Sequence, residues 1–381
     1  MLPAADGAPL PFGPMRSDRP GVGRERHSAA PARPCSFPRS AVRPTDDRRH
    51  WTPRSETAGT RRINGFGFVD LYLVGTSAAA YTLAVISNIH DLHVAAKAAG
   101  KPAVSIEFFP PKTDEGDRNL FEKTLPALMT IRPSYCSVTY GAGGSTRDKT
   151  LTIVERIQKE FHLTAMMHLT CVNATQAELA SVIADARSRG VKNILALRGD
   201  PPAGSSEWTA TEGGFRYSRE LVAYLEQIGG FDIGTAGFPE GHIAQAGGRE
   251  ADWGFLADKI RAGADFVVTQ LFFDNADFLR MRDHLVKKLG VDVPLIPGML
   301  PVVSRGQTKR FTAMCGAALP ASFVARLDEL GDDDAAVTQF GIDYCAKQCE
   351  ELIREGVPGI HFYTLNKAHS TVQVVKALGL A

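Results

Sequence analysis

Apolar segments of strand length alternate with amphipathic helical patterns along most of this chain, and the alternation predicts an α/β fold, a (βα)8 TIM barrel. The apolar segments are 103–109, 134–140, 164–170, 192–198, 231–238, 265–272, 293–298 and 358–364. The helical patterns are 117–130, 147–160, 175–189, 216–227, 250–262, 275–289, 304–314 and 335–355. Eight such units in about 280 residues match the usual size of a closed parallel barrel. An open doubly wound sheet fits less well, because no GxGxxG motif follows the first apolar segment.

Local signals indicate where individual helices begin. Thr175 and Glu178 have the spacing of a capping box at the start of the third helix. The acidic run 332–334 lacks the spacing of a calcium loop and is predicted to cap the helix that follows it. Residues 90–99 predict a short helix that leads into the first strand.

The first 62 residues differ in composition from the rest of the chain. They hold twelve arginines, no lysine, six acidic residues and ten of the 23 prolines. Such a segment cannot bury enough apolar surface to offset the entropy of ordering, so residues 1–62 are predicted to be a disordered leader. A misassigned start that translates upstream sequence explains this composition equally well.

Residues 63–99 form a second, apolar and helix-prone leader, and the barrel is expected to span 100–381. The part at 63–86 is long enough to cross a membrane. Asp70 and three glycines interrupt it, which favours a segment packed on the barrel or more upstream sequence. The sequence leaves the role of this leader open.

Charge and cysteine content exclude several classes of protein. The whole chain has a net charge of +1, and beyond residue 62 acidic residues slightly outnumber basic ones. No nucleic-acid partner and no membrane partner are therefore expected. The six cysteines are too scattered for a disulfide framework, which favours reduced thiols and a cytoplasmic protein. No metal site is expected, because paired CxxC and HExxH motifs are missing from the sequence.

Polar residues occupy the ends of the predicted strands, where barrel enzymes carry their chemistry. Glu107 ends the first apolar run, directly before two aromatic residues and two prolines. A carboxylate among aromatic residues is costly unless it is paired or does chemistry, so general acid or base catalysis is favoured over a surface acid. The other strand-end residues of this kind are Thr139, Tyr140, His168, Arg198, Asp200, Glu240, His242, Gln270 and Tyr363.

The segment 198–200 suits a bound heterocycle. Gly199 lets the backbone approach a planar ligand closely, and Asp200 beside it can tune the electronics of that ligand. An ion pair between Arg198 and Asp200 at a turn is the structural alternative. A single histidine such as His168 is most often a core residue whose ring nitrogens are hydrogen-bonded.

Three residues further along the chain have side chains suited to ligand recognition. Gln270 offers both a donor and an acceptor to the edge of a ring. Phe311 can provide a stacking face, and Lys259 can meet a phosphate as a point charge. A solvated helix face is the ordinary role for a lysine such as Lys259.

Eight motifs occur in the order typical of one enzyme family. They are SIEFFPPK, SVTYGAGGSTRDKT, HLTC, LALRGDPP, GFPEGH, VTQLFFD, IPGMLPV and HFYTLN. In these motifs the chain resembles methylenetetrahydrofolate reductase of the bacterial type, over residues 100–380 and as the catalytic barrel only. The resemblance implies reduction of 5,10-methylenetetrahydrofolate to 5-methyltetrahydrofolate, in one-carbon metabolism and methionine supply. It also implies non-covalent FAD, NADH or NADPH as electron donor, a ping-pong route, and a homo-oligomer.

The same resemblance assigns roles to individual residues. Glu107 matches the general acid that protonates folate N10, and Asp200 matches an aspartate that lies beside the flavin and contacts the pterin. The positions that match cofactor-binding residues are Thr139 on the nicotinamide side, and Tyr140, Ala142, His168, Arg198, Gly199, Asp200, Phe238, His242, Asp252 and Lys259 for FAD. The positions that match substrate-binding residues are Gln270, Gln307, Phe311 and Lys367.

Four positions depart from the family pattern. Phe238 stands in place of a tyrosine, and Phe255 and Asp258 replace an asparagine and an arginine near the adenine end of FAD. An acid in place of a cation is expected to weaken phosphate affinity. Lys367 replaces an arginine, which keeps the charge but loses bidentate geometry toward a folate carboxylate.

Two other interpretations stay open. Another FAD-linked barrel oxidoreductase, similar to proline dehydrogenase, would share the fold and the cofactor. A non-catalytic barrel subunit of a methyl-transfer complex would share the fold alone. Glu107 and Asp200 together favour the reductase, since a binding subunit needs neither an acid nor a carboxylate that tunes a flavin.

Overall fold

Eight parallel strands close into a barrel in the computed structural model, which describes residues 86–140, 146–200 and 210–381. The strands are β1 (Ala103–Phe108), β2 (Tyr135–Val138), β3 (Ala165–Thr170), β4 (Asn193–Leu197), β5 (Asp232–Gly237), β6 (Phe266–Leu271), β7 (Leu295–Met299) and β8 (Gly359–Tyr363). Each strand pairs with the next one in the chain, and β8 pairs with β1. The predicted TIM barrel is confirmed. The predicted leader at 1–62 and nearly all of the apolar segment at 63–86 lie outside the described residues.

Helices surround the strands and pack on them through a shared apolar core. They are α1 (Ile89–Ala98), α2 (Asp114–Asn119), α3 (Leu125–Met129), α4 (Arg147–Glu160), α5 (Gln176–Ser188), α6 (Ser218–Ile228), α7 (Gly248–Arg261), α8 (Asn275–Asp283), α9 (Arg305–Cys315), α10 (Ala321–Leu330), α11 (Asp334–Arg354) and α12 (His369–Ala377). The capping box of α5 and the aspartate cap of α11 form as predicted. α10 and α12 are additional to the predicted helices. Within the described ranges, no helix has the length and apolar character needed to cross a membrane.

The helix predicted at 117–130 consists of three consecutive pieces. It begins at Asp114, because the side chain of Thr113 accepts a hydrogen bond from the Gly116 backbone and caps α2. A π-helical turn, Leu120–Thr124, then joins α2 to α3. Pro126 near the start of α3 has no N–H to donate, and the wider turn relieves the contact between its ring and the preceding carbonyls.

Helix α1 closes the amino-terminal end of the barrel. The Ile89 N–H donates to Asn193 Oδ1 at 3.0 Å, and the His90 N–H donates to Asp232 Oδ2 at 2.8 Å. Both acceptors stand at the first residues of their strands, β4 and β5. Ile89 is buried against side chains inside the barrel. The helix predicted at 90–99 is therefore confirmed, and it covers the end of the barrel opposite the predicted catalytic residues.

Asp232 gives this closed end a pH-dependent stability. Burial raises the pKa of Asp232 to about 6, and the nearby Asp265 adds to the effect, although the His90 N–H opposes it. Because the pKa in the folded state exceeds the pKa in the unfolded state, the protonated form stabilises the fold below pH 4. That contribution is lost as the pH rises through 6.

We expect Asp232→Asn to stabilise the protein at pH 8, because an amide oxygen still accepts from α1 while the buried charge is removed. The gain is up to about 3 kcal/mol in the free energy of unfolding at pH 8 and disappears near pH 4. Urea denaturation at the two pH values measures it, with the exposed Asp292→Asn as the control. A gain of the same size at both pH values would contradict the assignment.

Candidate active site

Glu107 lies at the carboxyl end of β1 with its side chain inside the barrel and fully buried. Its Oε2 atom lies 3.4 Å from His168 Nε2 and 3.5 Å from His361 Nε2. Ser137 Oγ donates a hydrogen bond to the same oxygen at 3.4 Å. The other oxygen, Oε1, is buried and has no hydrogen-bond partner among the described residues. The carboxyl group is thus held by one oxygen and leaves the other for a further partner.

Two opposing effects set the protonation of this carboxyl group. Burial alone raises the pKa of Glu107, but the hydrogen bond with His361 and the charges of the two rings outweigh burial and lower it below its usual range. Burial lowers the pKa of His168 to about 4, with Glu107 only partly offsetting it. Burial thus opposes a positive charge on His168, and the hydrogen bond with His361 is the largest cause that lowers the pKa of Glu107.

His361 is held on both sides by hydroxyl groups. Its Nδ1 lies 2.8 Å from Ser105 Oγ, and its Nε2 lies 3.4 Å from Ser137 Oγ. The Tyr363 ring meets its edge, with ring centroids 5.5 Å apart. These contacts fix the orientation of the His361 ring beside Glu107.

Sequence reasoning singled out Glu107 and His168 but missed Ser105, Ser137 and His361. A strand directs alternate side chains to the same face, so residues two positions before an inward strand-end residue also face the interior. Ser105 precedes Glu107 by two positions, and His361 precedes Tyr363 by two. Polar residues two positions before a polar strand end could therefore have identified Ser105 and His361 from the sequence.

A second cluster lies at the carboxyl end of β5 and along α7. Lys259 Nζ donates to the carbonyl of Ala236 at 2.6 Å, and burial lowers the pKa of Lys259 to about 8 although Asp252 opposes the change. Burial raises the pKa of Asp252, which receives a hydrogen bond from the His242 backbone. The edge of the Phe238 ring packs on His242, with centroids 4.7 Å apart. The structure therefore brings together four of the residues assigned to cofactor binding.

The end of β4 lies beside this cluster. The charges of Arg198 and Asp200 both act on the pKa of His242, which burial lowers. Gly199 has a φ of +88°, and a Cβ there would lie 2.5 Å from Val172 Cγ1, so only glycine fits without strain. The strand-end residues of β4 and β5 thus share one side of the barrel opening.

The residues at the end of β2 are tied to α4. Thr150 Oγ1 donates to the carbonyl of Thr139 at 2.9 Å, and Arg147 Nε donates to Tyr140 Oη at 2.7 Å. Both Thr139 and Tyr140 are buried. Ala142 lies outside the described residues.

The four residues assigned to substrate binding lie on β6, α9 and the segment after β8. Gln270 is buried, and its Oε1 accepts from the N–H of the next residue at 3.0 Å. Gln307 is half-buried on α9, and Lys367 is exposed after β8. Phe311 is 2% exposed and packs in an apolar cluster with Tyr363, so its stacking on a ligand stays a prediction.

Asn366 joins the ends of β1 and β8. Its Oδ1 accepts from the Phe109 N–H at 2.9 Å, and its Nδ2 donates to the Phe109 carbonyl at 2.8 Å. Asn366 has a φ of +57°, a left-handed conformation that asparagine tolerates better than most residues. This amide fixes the backbone two residues after Glu107.

We expect Asn366→Ala to destabilise the protein by about 2–3 kcal/mol, because two hydrogen bonds are lost and alanine disfavours the left-handed conformation. Asn366→Gly is the matched control, since glycine removes the amide without the backbone strain. The glycine variant should lose about 1–2 kcal/mol in chemical denaturation. Full stability in both variants would show that the amide does not hold this junction.

The fold and these contacts define a TIM-barrel protein with a buried carboxyl group beside two histidines, at the end of the barrel where such proteins carry their active sites. The chain belongs to the methylenetetrahydrofolate reductase family, whose profile matches residues 92–379. Among similar proteins, methylenetetrahydrofolate reductase (NADH) 1 of Arabidopsis thaliana is 38% identical over 291 residues. That alignment covers 74% of this chain and 49% of the plant protein, so the chain spans about half the length of such relatives.

A bacterial relative matches over nearly its whole length. The 5,10-methylenetetrahydrofolate reductase of Escherichia coli K12 is 38% identical over 285 residues, which cover 75% of this chain and 93% of that protein. Among solved structures, an uncharacterized Clostridium thermocellum protein that binds two copies of 5-methyl-5,6,7,8-tetrahydrofolic acid has a TM-score of 0.53 and 15% identity. It covers 76% of this chain and 97% of its own, and this likeness concerns the fold alone.

Proposed function

We propose that the protein reduces 5,10-methylenetetrahydrofolate to 5-methyltetrahydrofolate, with electrons from a reduced nicotinamide through a bound FAD. The observation that carries the proposal is the buried carboxyl group of Glu107, paired with His361 at the catalytic end of a barrel of this family. The names of the bacterial and plant relatives give the reaction, and the plant name gives NADH as donor. The ping-pong order, the cytoplasmic location and a homo-oligomer stay predictions.

The residues at the ends of β3 to β5 fit a ligand such as FAD. Lys259 places a cation with a pKa of about 8 near the barrel opening, where it suits a phosphate. Thr170 Oγ1 is buried and has no hydrogen-bond partner in the described part of the chain, and Gly199 lies beside it. When bound, FAD supplies a carrier of two electrons between nicotinamide and folate. Arg198, His242 and Asp252 complete the set that would hold it.

Glu107 would act as the proton donor to folate N10. Its Oε2 accepts a hydrogen bond from Ser137 and lies beside the two histidines, so the unpartnered Oε1 is the atom that can face a substrate. The side chain is fully buried, and contact with folate therefore requires neighbouring groups to move. The pKa of Glu107 is lowered in the free protein, so the carboxyl group would have to gain a proton before this step. His361 Nε2, 3.5 Å from Oε2, is a neighbouring group that would deliver it.

Replacing Glu107 with glutamine tests this role. We expect Glu107→Gln to lower folate reduction by about 10²–10⁴-fold, because the amide cannot donate a proton of comparable acidity. Reduction of the flavin by NADH should remain within about twofold, since this step needs no proton from Glu107. Stopped-flow absorbance of the two half-reactions separates them, with the exposed Glu122→Gln as control. Equal folate turnover in both variants would remove Glu107 from the mechanism.

Flavin content tests the cofactor assignment. The purified protein should be yellow and should lose flavin absorbance when NADH or NADPH is added, which also reveals the preferred donor. Lys259→Met should weaken FAD affinity by about tenfold or more, because a cation near the phosphates is lost. Lys287→Met, on an exposed helix surface, is the matched control. A colourless protein that takes up no added FAD would contradict the proposal.

A further inference from the structure

Strand β6 contains a β-bulge near its carboxyl end. Val268 of β6 pairs with Ile296 of β7, and Leu271 pairs with Gly298. Three steps along β6 therefore lie opposite two steps along β7, so β6 holds one extra residue at this point. The bulge lies at residues 269–270, where β6 approaches the barrel opening. Bulges are common beside active sites, where they redirect a side chain.

The bulge changes which side chains of β6 share a face. Before it, Val268 lies in the apolar cluster inside the barrel. After it, Leu271 and Phe273 pack in the cluster that contains Phe311, and Phe272 packs in the core between strands and helices. An unbroken strand would put Phe272, and not Leu271, on the same face as Val268. The alternation of side chains is therefore reset between Val268 and Leu271.

Side-chain hydrogen bonds replace the regular strand pairing at the bulge. Thr269 Oγ1 accepts a hydrogen bond from the Gly298 N–H at 3.0 Å. The Thr269 carbonyl accepts from Tyr363 Oη at 2.5 Å. The N–H of Leu271 donates to Gln270 Oε1 at 3.0 Å. These bonds pair buried backbone groups that the interrupted ladder would otherwise leave unpaired.

Gly298 makes the close approach of these groups possible. A Cβ at Gly298 would overlap the Thr269 carbonyl oxygen and lie 2.7 Å from Tyr363 Oη, so only glycine fits there. Thr269 and Tyr363 are both buried. Because a buried N–H without a partner is costly, loss of the Thr269 hydroxyl would favour a different pairing of β6 with β7.

We propose that Thr269 is a positioning residue that fixes Gln270 at the barrel opening through this bulge, with the hydroxyl of Tyr363 supporting it. Gln270 follows Thr269 directly, and its amide oxygen is bound by the next N–H, which gives the amide a defined orientation. The side chain is then held ready for the edge of the folate ring system. The inference rests on the proposed function, since it takes Gln270 as a folate contact, whereas the geometry of the bulge does not.

Crystal structures test the geometry without folate. Thr269→Val keeps the shape of the side chain and removes the hydroxyl, so we expect the bulge to change and the Gln270 side chain to move. Thr269→Ser keeps the hydroxyl and should keep both. Thr235→Val is the matched control, because that buried hydroxyl has no hydrogen-bond partner within the residues that the structure describes. A bulge and a Gln270 side chain unmoved in Thr269→Val would overturn the proposal.

Steady-state kinetics test the consequence for folate. We expect Thr269→Val to raise the KM for methylenetetrahydrofolate by about tenfold, because the contact made by Gln270 is lost. The kcat and the rate of flavin reduction by NADH should be unchanged, and Thr269→Ser should keep the wild-type KM. Tyr363→Phe removes the second hydrogen bond and should raise the same KM, so the test stands even where the valine variant folds poorly. A lower kcat with an unchanged KM in both variants would contradict the positioning role.

A double mutant separates action through Gln270 from a general loss of structure. In a Gln270→Ala background, Thr269→Val should raise the KM little further, since the side chain that it positions is already absent. Losses that multiply in the double mutant would overturn the proposal. A wild-type protein that neither binds nor reduces folate would reject the proposed function, and the crystal structures alone would then decide whether Thr269 positions Gln270.

Discussion

The buried carboxyl group of Glu107 is the constraint on which the barrel interior depends. Removing an ionised carboxylate from water costs several kcal/mol, and the cost is met only if polar groups surround the charge. Ser137, His168 and His361 provide that surrounding from three different strands. His361 in turn needs a partner of its own, which explains why a further polar side chain, Ser105, lies next to it inside the barrel.

The candidate active site and the helix that closes the barrel, α1, lie at opposite ends of the barrel. The polar strand ends lie at the carboxyl end, where Asn366 fixes the backbone after β1. The amino end is closed by α1, whose first N–H groups are bound by Asn193 and Asp232. Parallel strands make this separation natural, because all their carboxyl ends meet at one opening.

The departures from the family pattern have structural counterparts. Asp258 pairs with Arg261 at 3.1 Å, so part of its negative charge is neutralised locally. Phe255 is 57% exposed on the same helix and presents an open aromatic face. Phe238 has no hydroxyl to donate and packs its ring edge on His242 instead. On this side of the barrel, which the resemblance assigns to cofactor binding, Trp253 Nε1 also donates a hydrogen bond to the Phe238 carbonyl at 3.0 Å.

The sequence by itself determined the order of strands and helices, since alternating apolar and amphipathic segments reflect which face each element buries. It also singled out Glu107 as a candidate catalytic acid, because the apolar residues that make its charge costly are its neighbours in the chain. The closed tertiary structure decided which side chains meet that acid. His361 lies 254 positions away in the sequence and reaches Glu107 only because β8 pairs with β1. The burial of Phe311 and the shifted pKa of Lys259 likewise depend on packing between distant elements, which local patterns do not encode.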